Sequence, residues 1–155
     1  ESMLTINEYR KVESLEEAKI CDKLLNKLII DEYSYDKTID KKFKVKDYFT
    51  SIYKDDNNKL LIYKSDDKIV GYIFAKKIEK GILIDGLYVE KPYRNNGIAT
   101  DLINYVVKIS KENNIKYIDI NVMYENELAK NLYKQLGFNE FRVTLRKSDL
   151  YDWKN

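Results

Sequence analysis

The residue pattern predicts an α/β fold of the α+β kind: a mixed, mostly antiparallel sheet flanked by helices, with one parallel strand pair at its centre. Three observations predict it. Apolar residues recur at helical spacing over Leu15–Ile29 and again over Ile98–Ile109. Two apolar runs, Leu60–Tyr63 and Ile69–Ala75, flank the polar turn Ser65-Asp66-Asp67-Lys68 and read as a hairpin. The run Ile82–Val89 leads through a polar loop and a helical stretch to Ile115–Val122, and such a crossover within one sheet makes the two strands parallel and right-handed. With no repeat, low-complexity tract or linker, residues 3–155 are expected to form a single domain.

Taken in order, Leu4–Val12 alternates loosely enough for an edge strand. Ser14 followed by Glu17 is a capping-box pair, and Leu15, Ala18, Cys21, Leu24, Leu25, Leu28 and Ile29 then mark the buried stripe of a first helix. Cys21 lies inside that stripe and reads as a small packed hydrophobe. The segment Asp31–Phe49 is irregular, and a short helix is expected over Val45–Tyr53. The lysines from Lys41 to Lys46 read as a solvated face. After the hairpin, Ile82–Val89 is the third strand of a meander, in which Gly86 signals a bulge or a close backbone approach. The helix from Ile98 runs to about Asn113, and Ile115–Val122 is the next strand. Leu128, Ala129, Leu132, Tyr133 and Leu136 mark a shorter helix stopped by Gly137. Phe138–Leu145 is expected to be a last strand, with Trp153 as a lid on the core.

Composition excludes several chemistries. Lys plus Arg is 28 against 26 for Asp plus Glu, a formal charge of +2, so no nucleic-acid partner is announced. Cys21 is the one cysteine and histidine is absent, which removes disulfides, cysteine metal clusters and the histidine-dependent hydrolase triads, and no metal is expected. No apolar stretch reaches the length of a membrane span and no leader pattern appears, so no membrane association and a cytoplasmic location are expected.

The stretch Gly81–Thr100 carries the clearest functional signal. A strand breaks at Glu90-Lys91-Pro92, and a compact polar loop enters a helix directly. The first N–H groups of a helix lack intrahelical partners and sit at the positive end of its dipole, so a small-residue loop there can hold an anion. The loop lacks both the Gly-Lys-Ser/Thr ending of a nucleotide-hydrolysing phosphate loop and the dinucleotide glycine pattern. Its Arg94, Gly97 and Ala99, however, resemble the Gln/Arg-x-x-Gly-x-Gly/Ala motif of the GCN5-related N-acetyltransferase (GNAT) superfamily. Asn126, Ala129, Tyr133 and the pair Gly137-Phe138 resemble that family's closing signature. The resemblance is clear over Leu60–Leu145.

The resemblance implies a GNAT acyl-CoA N-acyltransferase fold whose parallel pair splays apart, and acetyl-CoA as the acetyl donor. Backbone N–H groups of Asn95, Asn96, Gly97, Ile98, Ala99 and Thr100 would bind the pyrophosphate, supported by Arg94. Backbone groups around Leu87, Tyr88 and Val89 would pair with the pantetheine arm, and Asn126 would contact the cofactor or hold the loop beside it. Tyr133 would act as general acid at the thioester sulfur. The reaction would be direct attack of an amine through a tetrahedral intermediate, with Asp85, or else a water relay, as base; Glu79 and Glu90 follow as candidates. Asn126 and Tyr133 stand one above the other on a helix, about 10 Å apart, with Ala129 between them on the same side.

The acceptor is expected to be a small-molecule amine such as a polyamine, aminoglycoside or amino acid. A protein or peptide amine and a catalytically silent acyl-CoA sensor are the alternatives. Residues expected to touch the acceptor are Tyr33, Tyr35, Glu79, Tyr124 and Arg142. Homodimerisation is common among such proteins.

Overall fold

In the computed structural model, which describes residues 7–150, five strands form one sheet in chain order. They are β1 (Asn7–Lys11), β2 (Asn58–Ser65), β3 (Lys68–Ile78), β4 (Gly81–Val89) and β5 (Ile118–Ile120). β1 to β4 pair antiparallel and β5 joins β4 in parallel. The helices are α1 (Leu15–Glu32), α2 (Tyr48–Ile52), α3 (Ile98–Glu112) and α4 (Glu127–Gln135).

The pleat alternation of the central strands divides the core into two layers. Leu60 and Ile62 of β2, with Tyr72 and Phe74 of β3, face one side and meet Ala18, Cys21 and Leu24 of α1 and Phe49 of α2. Leu61, Tyr63, Val70 and Ile73 face the other side and meet Ile98, Leu102, Ile103 and Val106 of α3. Strands sandwiched this way read as continuous apolar runs, as β2 and β3 do. Cys21 is fully buried, and burial pushes its thiol far above the ordinary cysteine range, in keeping with a packed hydrophobe.

Local hydrogen bonds fix the helix starts. The Ser14 hydroxyl accepts the Glu17 N–H at 3.2 Å, while the Glu17 carboxylate accepts the Glu13 N–H at 2.9 Å. Arg10 of β1 clamps that carboxylate with two further bonds of 3.0 and 2.6 Å, tying the start of α1 to the sheet edge. α2 is shorter than its apolar spacing suggests. It follows Asp47, which is left-handed at φ 57°, and its first turn is capped from across the core by Asp22, whose Oδ1 accepts the Phe49 N–H at 2.8 Å.

Two expectations need correction. β5 extends only over Ile118–Ile120 rather than Ile115–Val122, with flanking bonds from Lys116 N–H to Lys80 O and from Ile82 N–H to Tyr117 O, both 3.0 Å. Phe138–Leu145 forms no strand among the described residues, and Phe141, Val143 and Leu145 are exposed. Alternation specifies which face a side chain takes, but a strand also needs an edge to pair with. Here β5 is too short to offer one. Of the expected first strand, residues 4–6 lie outside the described residues, as does Trp153. No helix among the described residues is long and apolar enough to cross a membrane.

Asp22 is a buried carboxylate whose pKa is raised chiefly by burial and lowered again by the backbone N–H bonds it accepts. The cap therefore matters more than the charge. Asp22→Ala should cost about 1–2 kcal/mol of unfolding free energy in urea titration. Asp22→Asn, which keeps the acceptor oxygen and drops the desolvated charge, should lose less than half of that.

Candidate active site

The centre of the sheet is opened by one residue. β3 and β4 pair in register from Gly71↔Val89 to Phe74↔Gly86, and the next pair is Ala75↔Ile84, so Asp85 is the extra residue of a bulge. Beside it, a Cβ on Gly86 would stand 3.1 Å from the Tyr72 hydroxyl, so the absence of a side chain there is what lets the phenol reach the strand. On its other edge β4 pairs with β5 only through Ile84, and among the described residues Asp85–Val89 has no ladder partner on that side. The parallel ladder thus ends at Ile84, and the backbone of Leu87, Tyr88 and Val89 has no ladder partner on that edge among the described residues.

A loop built for close approach follows that edge. After the turn Lys91–Tyr93, Asn95 and Gly97 are both left-handed, at φ 65° and 78°, and the Asn96 side-chain amide donates to Tyr93 O and Arg94 O at 3.0 and 3.1 Å. The chain then enters α3 with no side-chain cap, and the bond from Asp101 N–H to Gly97 O, 2.9 Å, opens the helix. The N–H groups of Ile98, Ala99 and Thr100 therefore have no intrahelical acceptor. A Cβ on Gly97 would meet nothing within 4 Å, so the space in front of these donors is open. Small residues, aligned donors and open space fit a pyrophosphate. Arg94 is held rather than free. Its Nε donates to Val89 O at 2.8 Å, its guanidinium pairs with Asp31 at 3.1 Å, and it lies 5.2 Å over the Tyr88 ring.

α4 lies on the α3 side of the sheet, where Tyr133 and Leu136 pack. The Asn126 side-chain oxygen accepts the Ala129 N–H at 3.2 Å and so caps the helix, which ends at the left-handed Gly137. Tyr133 meets the Phe138 ring edge-on at 6.1 Å and packs with the α3-side core. Burial pushes its hydroxyl up to about 12, with the charge of Glu32 adding to the effect. Glu32 belongs to the last turn of α1, whose core lies on the opposite face of the sheet. The charge of Glu32 nonetheless bears on Tyr133.

Asp85 is ion-paired with Lys76 at 3.1 Å and bears on Glu32 and on Tyr72 electrostatically, which puts it on the α1 side of the bulge. Burial, then Asp85, Asp36 and Asp31, raise the Glu32 pKa above the ordinary glutamate value. Glu90 is engaged by Lys27 Nζ at 2.8 and 2.9 Å. Glu79 sits in the β3–β4 turn, at the end of β4 remote from that edge. Lys37 and Lys41 cover the Tyr33 ring, while Tyr35 is exposed. Tyr124, under Lys130, is exposed, and Arg142 leans on Phe141 in the extended C-terminal segment. Glu32 belongs to none of the motifs read from the sequence. Its position depends on where α1 ends relative to β4, and no local spacing encodes that.

The model of the Acetyltransferase (GNAT) family matches residues 23–138. Among curated proteins, an uncharacterised N-acetyltransferase of Methanocaldococcus jannaschii is 31% identical over 103 residues, covering 62% of this chain and 46% of the relative. N-alpha-acetyltransferase 30 of Schizosaccharomyces pombe is 28% identical over 86 residues, 52% of this chain and 57% of the relative. The chain thus spans about half the length of these curated relatives, at 46% and 57%. Among solved structures, a predicted acetyltransferase with acetyl-CoA from Clostridium acetobutylicum superposes with a TM-score of 0.75 at 20% identity, over 96% of this chain and 100% of that one.

Gly97→Ala tests the loop. A side chain in a left-handed conformation costs about 1–2 kcal/mol, and its methyl would intrude where the phosphates approach. Calorimetry should find coenzyme A affinity reduced about tenfold, or about 1.4 kcal/mol. Unchanged affinity would remove the loop from phosphate binding.

Proposed function

Because the chain belongs to the GNAT acetyltransferase family, we propose that it transfers an acetyl group from acetyl-CoA to the primary amine of a small molecule. The observation that carries the reading is the edge of β4 left without a ladder partner beyond Ile84, which leads into the uncapped start of α3, with Tyr133 buried on the α3 side of the sheet. Bound there, acetyl-CoA would supply an activated acetyl carbonyl and a thiol leaving group. The chain's own part is to hold and to move protons.

The N–H groups of residues 95–100 hold the pyrophosphate, with Arg94 supporting it through the loop it braces rather than as a free cation. The open edge of Leu87–Val89 pairs with the pantetheine arm as a strand would. Asn126 holds the start of α4, and Ala129 leaves room along the helix. Tyr133 remains protonated across the physiological range, because burial raises its hydroxyl to about 12, so it has a proton to give the departing sulfur. The amine must lose a proton before it attacks. Asp85 stands at the bulge but is paired with Lys76, which favours a relay through water over direct abstraction by Asp85.

A protein α-amine remains the second reading, on the ground that two curated relatives, of Schizosaccharomyces pombe and Sulfurisphaera tokodaii, carry N-alpha-acetyltransferase in their names. Thiol release measured against small amines and against short peptides separates the two, and tight acetyl-CoA binding without any thiol release would mark a sensor instead.

Tyr133→Phe should lower kcat by about 10²–10³ while acetyl-CoA affinity changes less than about threefold, since a general acid acts in the transition state rather than in binding. Equal losses in both would return Tyr133 to a packing role. Because the hydroxyl ionises only near 12, a decline in rate between pH 8 and 10 should persist in Tyr133→Phe.

A further inference from the structure

We propose that Glu32 is the carboxylate that receives the acceptor amine as an ammonium ion and takes its proton, with the buried Tyr72 hydroxyl as the second polar wall of that subsite. The inference rests on the acetyl-transfer reading above and deepens it.

Four carboxylates gather where α1 ends beside β4, namely Asp31, Glu32, Asp36 and Asp85, the other three all bearing on Glu32. Three of them already hold a cation: Asp31 holds Arg94, Asp36 holds Arg146, and Asp85 holds Lys76. Glu32, half-buried, holds none among the described residues, and a carboxylate withdrawn from water beside three others is where a cation gains most.

An independent observation points to the same place. Tyr72 is fully buried, and its hydroxyl is the one buried side-chain polar atom without a hydrogen-bond partner among the described residues. A buried, unpaired hydroxyl is costly unless something outside the chain satisfies it. This one lies against Gly86, where the bulge leaves no side chain, and it feels the charges of both Glu32 and Asp85. Its lone pairs can accept from an ammonium lodged between Glu32 and the bulge. Tyr133, which packs on the other side of the sheet, also lies within the field of Glu32. The nucleophile and the general acid would then approach one point from the two faces.

The protons balance in this arrangement. Glu32 takes one proton from R–NH₃⁺, leaving a neutral amine whose lone pair forms the N–C bond to the acetyl carbon as the C–S bond breaks. Tyr133 gives its proton to the sulfur and recovers one from the new amide nitrogen. One ammonium and one acetyl thioester become one amide, one thiol and one proton, which Glu32 releases to solvent. The ligand class is a primary aliphatic amine of ordinary basicity, which arrives charged and needs both an anionic receptor and a base.

The test uses the whole chain and spermidine as the probe, with binding followed by calorimetry in the absence of acetyl-CoA and thiol release in its presence. Glu32→Gln should weaken spermidine by at least about tenfold and Tyr72→Phe by about threefold, with acetyl-CoA affinity unchanged in both. Tyr72→Phe should melt no lower than wild type, because it removes an unpaired polar atom, so a loss of binding cannot be laid to unfolding. Asp31, Asp36 and Asp85, together with Tyr72 and Tyr133, are the titratable groups that face Glu32. Spermidine binding should therefore fall as the pH drops through a value above that of ordinary glutamate, and Glu32→Gln should abolish that dependence. Spermidine affinity unaltered by Glu32→Gln, no binding to wild type, or a larger loss in Asp85→Asn than in Glu32→Gln would each overturn the proposal. Failure of the transfer reading would show separately, as wild-type protein that does not bind acetyl-CoA.

Discussion

One unpaired residue at the middle of β4 governs the rest of this structure. A strand flanked on both edges must keep both registers, and Asp85 breaks one of them: its neighbours pair with Phe74 and Ala75, and it pairs with neither. Beyond that point β4 has no ladder partner on its β5 side among the described residues, the ladder ending at Ile84↔Ile120. A bulge increases local twist and bends the strand that carries it, which is how a sheet can open without losing the core on either face. That core stays intact because the apolar pairs on β2 and β3 lie on the continuous side of the sheet. The opening therefore depends on the placement of one residue and not on a weak or poorly packed sheet.

The same opening gives the ends of the helices their roles. α1 ends in a group of carboxylates tied to β4 through Arg94, α3 begins beyond β4 with its first donors unmet, and α4 packs Tyr133 on the α3 side. Arg94 binds these parts together, since it joins the last carbonyl of β4 to Asp31 on α1 while covering the Tyr88 ring. A cation with a backbone acceptor, an anion and an aromatic face is held in place on all sides. The loop that leads into α3 is thereby fixed to the helix that carries Asp31 and Glu32.

Most of this fold was legible where periodicity and turn chemistry agree. The capping pair Ser14 and Glu17, the turn at Asp66-Asp67, the strand–loop–helix passage through Gly97 and the stop at Gly137 all appear where local chemistry puts them. The bulge was legible as an anomaly, a glycine inside an apolar strand. What pattern could not supply was pairing. Phe141, Val143 and Leu145 alternate as a strand does, yet alternation carries no information about which edge is free to accept one. Glu32 was hidden for a related reason. Its weight comes from Asp85, Tyr72 and Tyr133, which lie on three other elements and meet it only once the sheet is assembled and opened.

Tyr72 shows how a stability argument can locate chemistry. Phe49 packs edge-on against it and edge-on against Phe74, and both of these rings are apolar. Phenylalanine at position 72 would keep those contacts and avoid burying an unpaired hydroxyl, a penalty of about 1–3 kcal/mol. The strand also gives up a side chain at Gly86 to make room for that hydroxyl, since a Cβ there would stand 3.1 Å from it. Two local costs thus converge on one atom, and neither improves the packing of the folded chain. Both are explained if the atom's partner arrives from outside, and Glu32, which alone of the adjoining carboxylates has no ion-pair partner among the described residues, fixes the charge such a partner must carry.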